Sequence, residues 1–351
     1  MTEETIVEIN KKCQGCGGNL TFNPTTGSLV CVQCGNEFDI EKEVIAETDI
    51  SFLERDLTNW KGQTATYHCE SCGATEIISK NQLSHECSFC GSPKVSTVAD
   101  STVKKPQAVQ PFKVNKDNAL QKAWEWAKKS FWSPKSFKNS ITTKFLNGIY
   151  YPAFTFDNET ETYYKATLGR TETYRDSQGN MHTRTVYFNV SGVHHQKFDD
   201  LTIQASDFIQ QKLIDKLLPF DTNNANVYND DFLFGFSASQ YTKDGVTCHK
   251  EAQVKMEAII KANILKRYTY SSVAKYYQQV RYYNQTFKYL LLPIWVGHYY
   301  FKEKNFNYYI NGVNGKIAGN RPVSGLKVTI AILIGLLVIA AAIVIYYLVS
   351  Q

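Results

Sequence analysis

Eight of the nine cysteines in this 351-residue chain fall into four Cys-x-x-Cys pairs. Cys13 and Cys16 are followed after fourteen residues by Cys31 and Cys34. Cys69 and Cys72 are followed after the same interval by Cys87 and Cys90, so the second set repeats the first at an offset of 56 residues. A glycine closes each pair: Gly17, Gly35, Gly73 and Gly91. A tetrahedral Zn²⁺ takes four thiolates at about 2.3 Å. A two-residue gap lets one tight turn supply two of them, and glycine accepts the turn's positive φ. The pattern predicts two four-cysteine zinc ribbons with Cys13, Cys16, Cys31 and Cys34 on one metal and Cys69, Cys72, Cys87 and Cys90 on the other. Disulfides are the alternative, but the acidic start Met1-Thr-Glu-Glu-Thr has no apolar run behind it and does not read as a secretory signal. A reducing compartment and this spacing favour metal. Two Zn²⁺ are the expected cofactors, with iron the rival for an all-thiolate site. Cys248 stands apart and reads as a buried structural thiol.

The other residues able to do chemistry form no recognisable constellation. His194 and His195 would point to opposite faces of a strand, which makes them poor co-ligands. His68 and His85 each precede a knuckle whose cysteine set is already complete. No HExxH, GxSxG or P-loop frames a reaction. Gly312-Val-Asn-Gly-Lys-Ile lacks the P-loop spacing and its hydroxyl, and reads as a strand turn. The expectation is a protein without catalytic residues.

The elements around the cysteines divide the chain into 1–45 (ribbon 1), 46–102 (linker and ribbon 2), 103–325 (an α+β body rich in antiparallel strands) and 326–351 (an anchor). Val328 to Val349 is an uncharged stretch of 22 residues. As a helix it would reach about 33 Å, enough for a hydrocarbon core of about 30 Å. Lys316, Arg321 and Lys327 precede it, so the positive-inside bias puts the N-terminal side in the cytoplasm of a single-pass, tail-anchored protein. Within the body, Gly148 to Phe156, Glu159 to Thr167, Arg184 to Val190, Tyr277 to Tyr283, Phe287 to Tyr300 and Phe306 to Ile310 alternate as strands. Gln178-Gly-Asn marks a hairpin, and Asn311-Gly and Asn314-Gly mark turns. Phe208 to Leu218 and His249 to Lys266 read as helices, the second with Val254, Ala258, Ile259 and Ala262 on one side. Leu120, Trp124, Ala127 and Phe131 would line the inner face of another, capped by Asp117. Tyr151-Pro152 and Leu292-Pro293 sit in similar surroundings, which suggests an internal duplication. Asp49 to Trp60 reads as a linker helix or a surface shared by the ribbons.

Charge is split along the chain. Residues 1–100 hold seven Lys/Arg against fifteen Asp/Glu, a net of −8, and the remainder carries +13. Four thiolates on each divalent metal take the ribbon region to about −12. Phosphate neutralisation dominates nucleic-acid affinity, so acidic ribbons speak against that partner. A basic body beside an anionic inner leaflet makes the lipid bilayer the expected neighbour.

The double Cys-x-x-Cys-Gly ribbon, GIYYPAFTF, LLPIWVGHYYF, NGVNGKIAGNRPVSGLK and the C-terminal apolar stretch together resemble a family of bacterial membrane-anchored double-zinc-ribbon proteins. Such proteins often carry primosomal-helicase-related or transcription-factor-IIB-type zinc-binding labels. Their genes tend to lie beside a phage-shock protein A homologue and a flotillin-like SPFH protein. The resemblance implies a bacterial cell-membrane location and a non-enzymatic scaffold that recruits a cytosolic partner, SPFH-type or another membrane-stress protein. The alternative is a membrane-tethered nucleic-acid binder linked to replication.

Overall fold

The computed structural model describes residues 12–54, 64–79, 86–98, 105–139, 141, 146–301 and 304–349. His85 and residues 55–60 of the inter-ribbon segment lie outside them. The fold is the expected assembly: two four-cysteine clusters, a strand-rich α+β body and one apolar C-terminal helix. Ribbon 1 is a three-stranded antiparallel sheet of β1 (Leu20–Asn23), β2 (Ser28–Cys31) and β3 (Glu37–Phe38). After β4 (Thr48–Asp49), ribbon 2 contains β5 (Thr64–Cys69), β6 (Thr75–Ser79) and β7 (Val95–Val98).

The body consists of β8 (Ala108–Val109), α1 (Lys116–Lys128), α2 (Lys135–Asn139), β9 (Leu146–Arg175), β10 (Met181–Gln204), α3 (Gln211–Leu217), β11 (Asn226–Val227), β12 (Ser237–Ser239), α4 (Gly245–Leu265), β13 (Ser272–Phe301), β14 (Lys304–Asn311) and β15 (Ile317–Gly319). The chain then enters α5 (Gly325–Val349). Strands β9 and β13, of 30 residues each, pair antiparallel as the spine, and each would run roughly 100 Å if fully extended. Several sequence segments therefore fuse: Gly148–Phe156 and Glu159–Thr167 belong to one strand, as do Tyr277–Tyr283 and Phe287–Tyr300. The Gln178-Gly-Asn turn does join β9 to β10, with Gly179 at φ 85°.

Prolines survive inside the spine because their missing donors face gaps. The Pro152 carbonyl accepts the Ala205 N–H at 2.9 Å, at the point where β12 has ended and β10 has not begun pairing. The Pro293 carbonyl accepts the Gly312 N–H at 2.8 Å, between β8 and β14. Proline cannot donate to a ladder, and at these two points no ladder bond is required.

The two proline sites are equivalent, and so are the units around them. Strand β8 runs parallel to β13 at Leu290–Leu291, just before Pro293, and β12 runs parallel to β9 at Ile149–Tyr150, just before Pro152. Each unit follows the order short strand, helix, long strand, hairpin return (β8-α1-β9-β10 and β12-α4-β13-β14), and each short strand pairs with the other unit's long strand. Pairing of Leu292 with Tyr151 puts the local twofold between the two sequences that resemble each other.

The spine separates two packed faces. Tyr150, Leu291, Trp295 and Tyr299 face a cluster containing ribbon 1 residues Cys13, Leu20, Phe22 and Cys31. Ile149, Tyr151, Leu292 and Ile294 face one containing ribbon 2 residues Cys69, Ala74, Cys87 and Phe89. Alternation of side chains along a strand produces this division directly.

The helices turn other faces inward than hydrophobic periodicity suggests. Helix α1 buries Ala119, Ala123 and Ala127 and is capped by Asn115, whose side chain accepts the Asn118 N–H; Asp117 lies in its first turn. Trp124 and Phe131 face solvent. Helix α4 starts at Gly245, capped by Asp244, and buries Cys248, Ala252, Met256, Ile260 and Ile264, while Val254 is exposed. Helix α3 is shorter than the predicted 208–218, and a cis Leu218–Pro219 bond follows it.

Candidate metal centres

All four knuckles are the same turn. In each, the glycine N–H returns to the carbonyl of the first cysteine: Gly17 to Cys13, Gly35 to Cys31, Gly73 to Cys69 and Gly91 to Cys87, at 2.7 to 3.0 Å. The glycines sit at φ 70°, 75°, 77° and 69°, where a Cβ is strained. The first cysteine of each pair also donates its N–H five residues ahead, Cys13 to Gly18 and Cys87 to Ser92 among them. These bonds lock both sulfurs of a pair onto one side of the turn.

Knuckles then face each other. Cys13 Sγ lies 3.5 Å from Cys34 Sγ, and Cys16 Sγ lies 3.4 Å from Cys31 Sγ. The corresponding separations in ribbon 2 are 3.6 Å for Cys69–Cys90 and 3.6 Å for Cys72–Cys87. Within each quartet all four ligand atoms lie within 4.8 Å of one another. A tetrahedron with bonds of about 2.3 Å has edges of about 3.8 Å, so one Zn²⁺-sized ion fits each centre. The separations are far too long for disulfides, and all nine cysteines are free thiols. The thiol protons of ribbon 2 are held unequally. The hydrogen bond from Cys87 takes Cys72 down to about 5, and burial pushes Cys90 up to about 12. Four thiolates carrying −4 together need a cation at their centre, and a divalent metal displaces these protons.

The two ribbons attach to the body differently. In ribbon 2 the knuckle Cys87-Ser88-Phe89-Cys90 is plugged into the protein. Ser88 donates its N–H and its hydroxyl to the buried Glu76 carboxylate at 2.8 and 2.6 Å. Its hydroxyl also meets Ser237 Oγ of β12 at 2.9 Å, and Phe89 packs on Phe208. Strand β6 pairs antiparallel with β12, so ribbon 2 continues the body's sheet. Ribbon 1 is seated through β1: Phe22 N–H donates to the Phe234 carbonyl at 2.9 Å, and its ring meets Phe232 and Phe236. The equivalent knuckle of ribbon 1 faces water, with Val32 68% exposed. A cleft of about 400 Å³ opens where the parts meet, lined among others by Thr21, Phe22, Glu86, Ser88, Lys116 and Trp295. Glu76, Ser88 and Ser237 escaped the sequence reading because 149 positions separate Ser88 from its partner Ser237.

Outside the quartets, His194 is buried and bonded to Gln196 and Arg267, while His195 points to the opposite, exposed face. His68 Nδ1 meets Thr75 Oγ1 at 3.2 Å. The Cys248 thiol contacts the Gln204 carbonyl inside the core, and burial pushes it up to about 12, so it is no nucleophile. Glu47, Asp157 and Asp200 form a third acidic group, but the Lys288 ammonium already sits among them, 2.6 Å from Glu47 and 2.9 Å from Asp200.

Four-cysteine centres on CxxCG knuckles, in a chain ending in an apolar helix, define a zinc-ribbon protein. Residues 8–40, which contain the first quartet, match the model of a zinc ribbon domain family. Over 323 residues, 91% of this chain and 92% of the other, the sequence is 27% identical to "Uncharacterized protein YdjG" of Bacillus subtilis (strain 168). No solved structure matches the chain. Among the described residues one helix, α5, is long and apolar enough to cross a membrane, with a mean hydropathy of 3.2 and none of that stretch buried.

Proposed function

We propose that this protein is a non-enzymatic, membrane-anchored scaffold that holds two Zn²⁺ and presents ribbon 1 to a protein partner on the cytosolic side. The exposed knuckle of ribbon 1 carries this reading. Ser88 and Phe89 of ribbon 2 are spent on the body, whereas Val32 and Gln33 at the same positions of ribbon 1 face water. An exposed branched apolar side chain on a rigid metal-held turn is the anchor a docking partner needs, since buried apolar anchors dominate interface energies. Closed four-thiolate coordination leaves no open position for a substrate, which supports a structural role for the metals. Helix α5 supplies the anchor, and Lys316, Arg321 and Lys327 before it support a cytoplasmic N-terminal side. A partner of the SPFH type follows from the family resemblance.

The test is affinity purification from detergent-solubilised native membranes, comparing the intact protein with Val32→Asp. That substitution leaves all eight ligands in place, so zinc content should stay at two per chain. A membrane-associated protein recovered with the intact chain and at least about tenfold depleted with Val32→Asp supports the scaffold. Recovery that is unchanged by Val32→Asp, or that vanishes on nuclease treatment, sinks it; the second result favours nucleic acid.

A further inference from the structure

Three large aromatic or basic features near the start of α5 have no role in the core. Trp124 is 45% exposed, Phe131 72% and Trp132 44%. Helix α1 lies on the body through alanines, which turns Trp124 outward. The loop after it is tied to the root of α5. Ser324 N–H donates to the Trp132 carbonyl at 2.9 Å. Lys327 Nζ donates to the Phe131 and Ser133 carbonyls at 2.7 and 2.9 Å. The uncharged run starts at the next residue, Val328. Lys128 stacks over Trp124, and Lys129 and Lys135 are exposed beside these rings.

We infer that Trp124, Phe131 and Trp132, with Lys128, Lys129 and Lys135, form a docking surface for the headgroup layer of an anionic phospholipid bilayer. The inference rests on α5 crossing the membrane. Hydrogen bonds hold Phe131 and Trp132 level with the residues immediately before the apolar run, so a spanning α5 places them at headgroup depth. Tryptophan and lysine suit that layer, the ring taking the apolar side and the ammonium the phosphate. Cations next to an anionic leaflet add electrostatic attraction. The surface fixes the body against the membrane, where α5 alone would leave it free to swing.

The test uses the full chain reconstituted into vesicles of phosphatidylcholine and phosphatidylglycerol, with shallow bromine labels on the acyl chains of one or the other lipid. Bromine quenches tryptophans at the interface. Trp124 and Trp132 are two of the five tryptophans. The expected result is loss of about two-fifths of the emission, greater when phosphatidylglycerol carries the label, and disappearance of that loss in Trp124→Phe/Trp132→Phe. Alkaline carbonate extraction is run on the same vesicles. Protein stripped by carbonate shows that α5 does not span, and both readings fall. Carbonate-resistant protein whose emission is unquenched, or is quenched equally in the double variant, overturns the docking surface alone. Quenching that follows the protein-to-lipid ratio instead of the bromine label points to a second copy on these rings and overturns it as well.

Discussion

At the level of single residues, the group with the most strained electrostatics is Asp157 of β9. Two β-bulges flank it, one at Asp200 and one at Asn284, the two non-glycine residues with positive φ among those described. Asp and Asn tolerate that region better than other side chains. The Asp200 N–H donates to Asp157 at 2.6 Å, while Lys288, only 3% exposed, pairs with Asp200 and Glu47. Burial, then the charges of Glu47 and Asp200, push the Asp157 carboxyl up to about 6, against the pull of that N–H and of Lys288. A carboxyl raised in the folded state holds its proton more tightly there than in the unfolded chain. Its stabilising contribution is complete below the unfolded value near 4 and is lost as pH rises through 6. Asp157→Asn keeps an acceptor for the Asp200 N–H and removes the charge. It should stabilise the protein at pH 8 by on the order of 1 kcal/mol, solvent screening of a half-buried group included, and have little effect near pH 4. Urea midpoints at the two pH values measure this, and an equal effect at both would remove desolvation as the cause.

At the level of elements, β1 is the seat of ribbon 1. Phe22 is buried among Phe232, Phe236 and the spine residues behind them. Phe22→Ala should cost about 3–5 kcal/mol at that seat. Limited proteolysis should then cut within residues 12–45 faster than in the intact chain, while ribbon 2 keeps its resistance; equal sensitivity of both ribbons would show that they are not seated separately. The contrast between ribbons and body also shows what the sequence makes legible. A knuckle is local: four residues and a glycine contain its geometry, and the spacing alone pairs the knuckles. The faces of α1 and α4 are not local. Both helices lie close on a broad sheet, so small or flexible residues (Ala119, Ala123, Ala252, Met256) pack inward while Trp124 and Val254 are turned out. Hydrophobic periodicity assumes the largest apolar residues point to the core, and close helix–sheet contact reverses that. Strand continuity was hidden for a related reason. Pro152 and the bulges read as ends, yet each falls where a neighbouring strand stops and no bond is lost.

At the scale of the whole molecule, the two metals should have unequal reach. Ribbon 1 has its own three-stranded sheet and meets the body through side-chain packing, the Phe22–Phe234 bond and a few similar contacts. Ribbon 2 shares one continuous sheet with the spine, in the order β7-β5-β6-β12-β9-β13. Its Ser88 and Phe89 fill space between β12 and the segment before α3. Zinc binding by small ribbons contributes about 10–16 kcal/mol and is inseparable from their folding. Loss of the first metal should therefore unfold ribbon 1 and leave the body's cooperative transition near its original temperature. Loss of the second should withdraw β6 from β12, expose the edge of the spine and lower the main transition of the whole protein. Cys16→Ser and Cys72→Ser make the comparison fairly, since each removes the more exposed ligand of a first knuckle. Each variant should hold about one Zn²⁺ by atomic absorption. Calorimetry in detergent should then show a main transition lowered by several degrees only for Cys72→Ser. Equal shifts for both variants would mean that ribbon 1 is as deeply built into the body as ribbon 2, and the assignment of ribbon 1 as the free, partner-facing module would lose its physical basis.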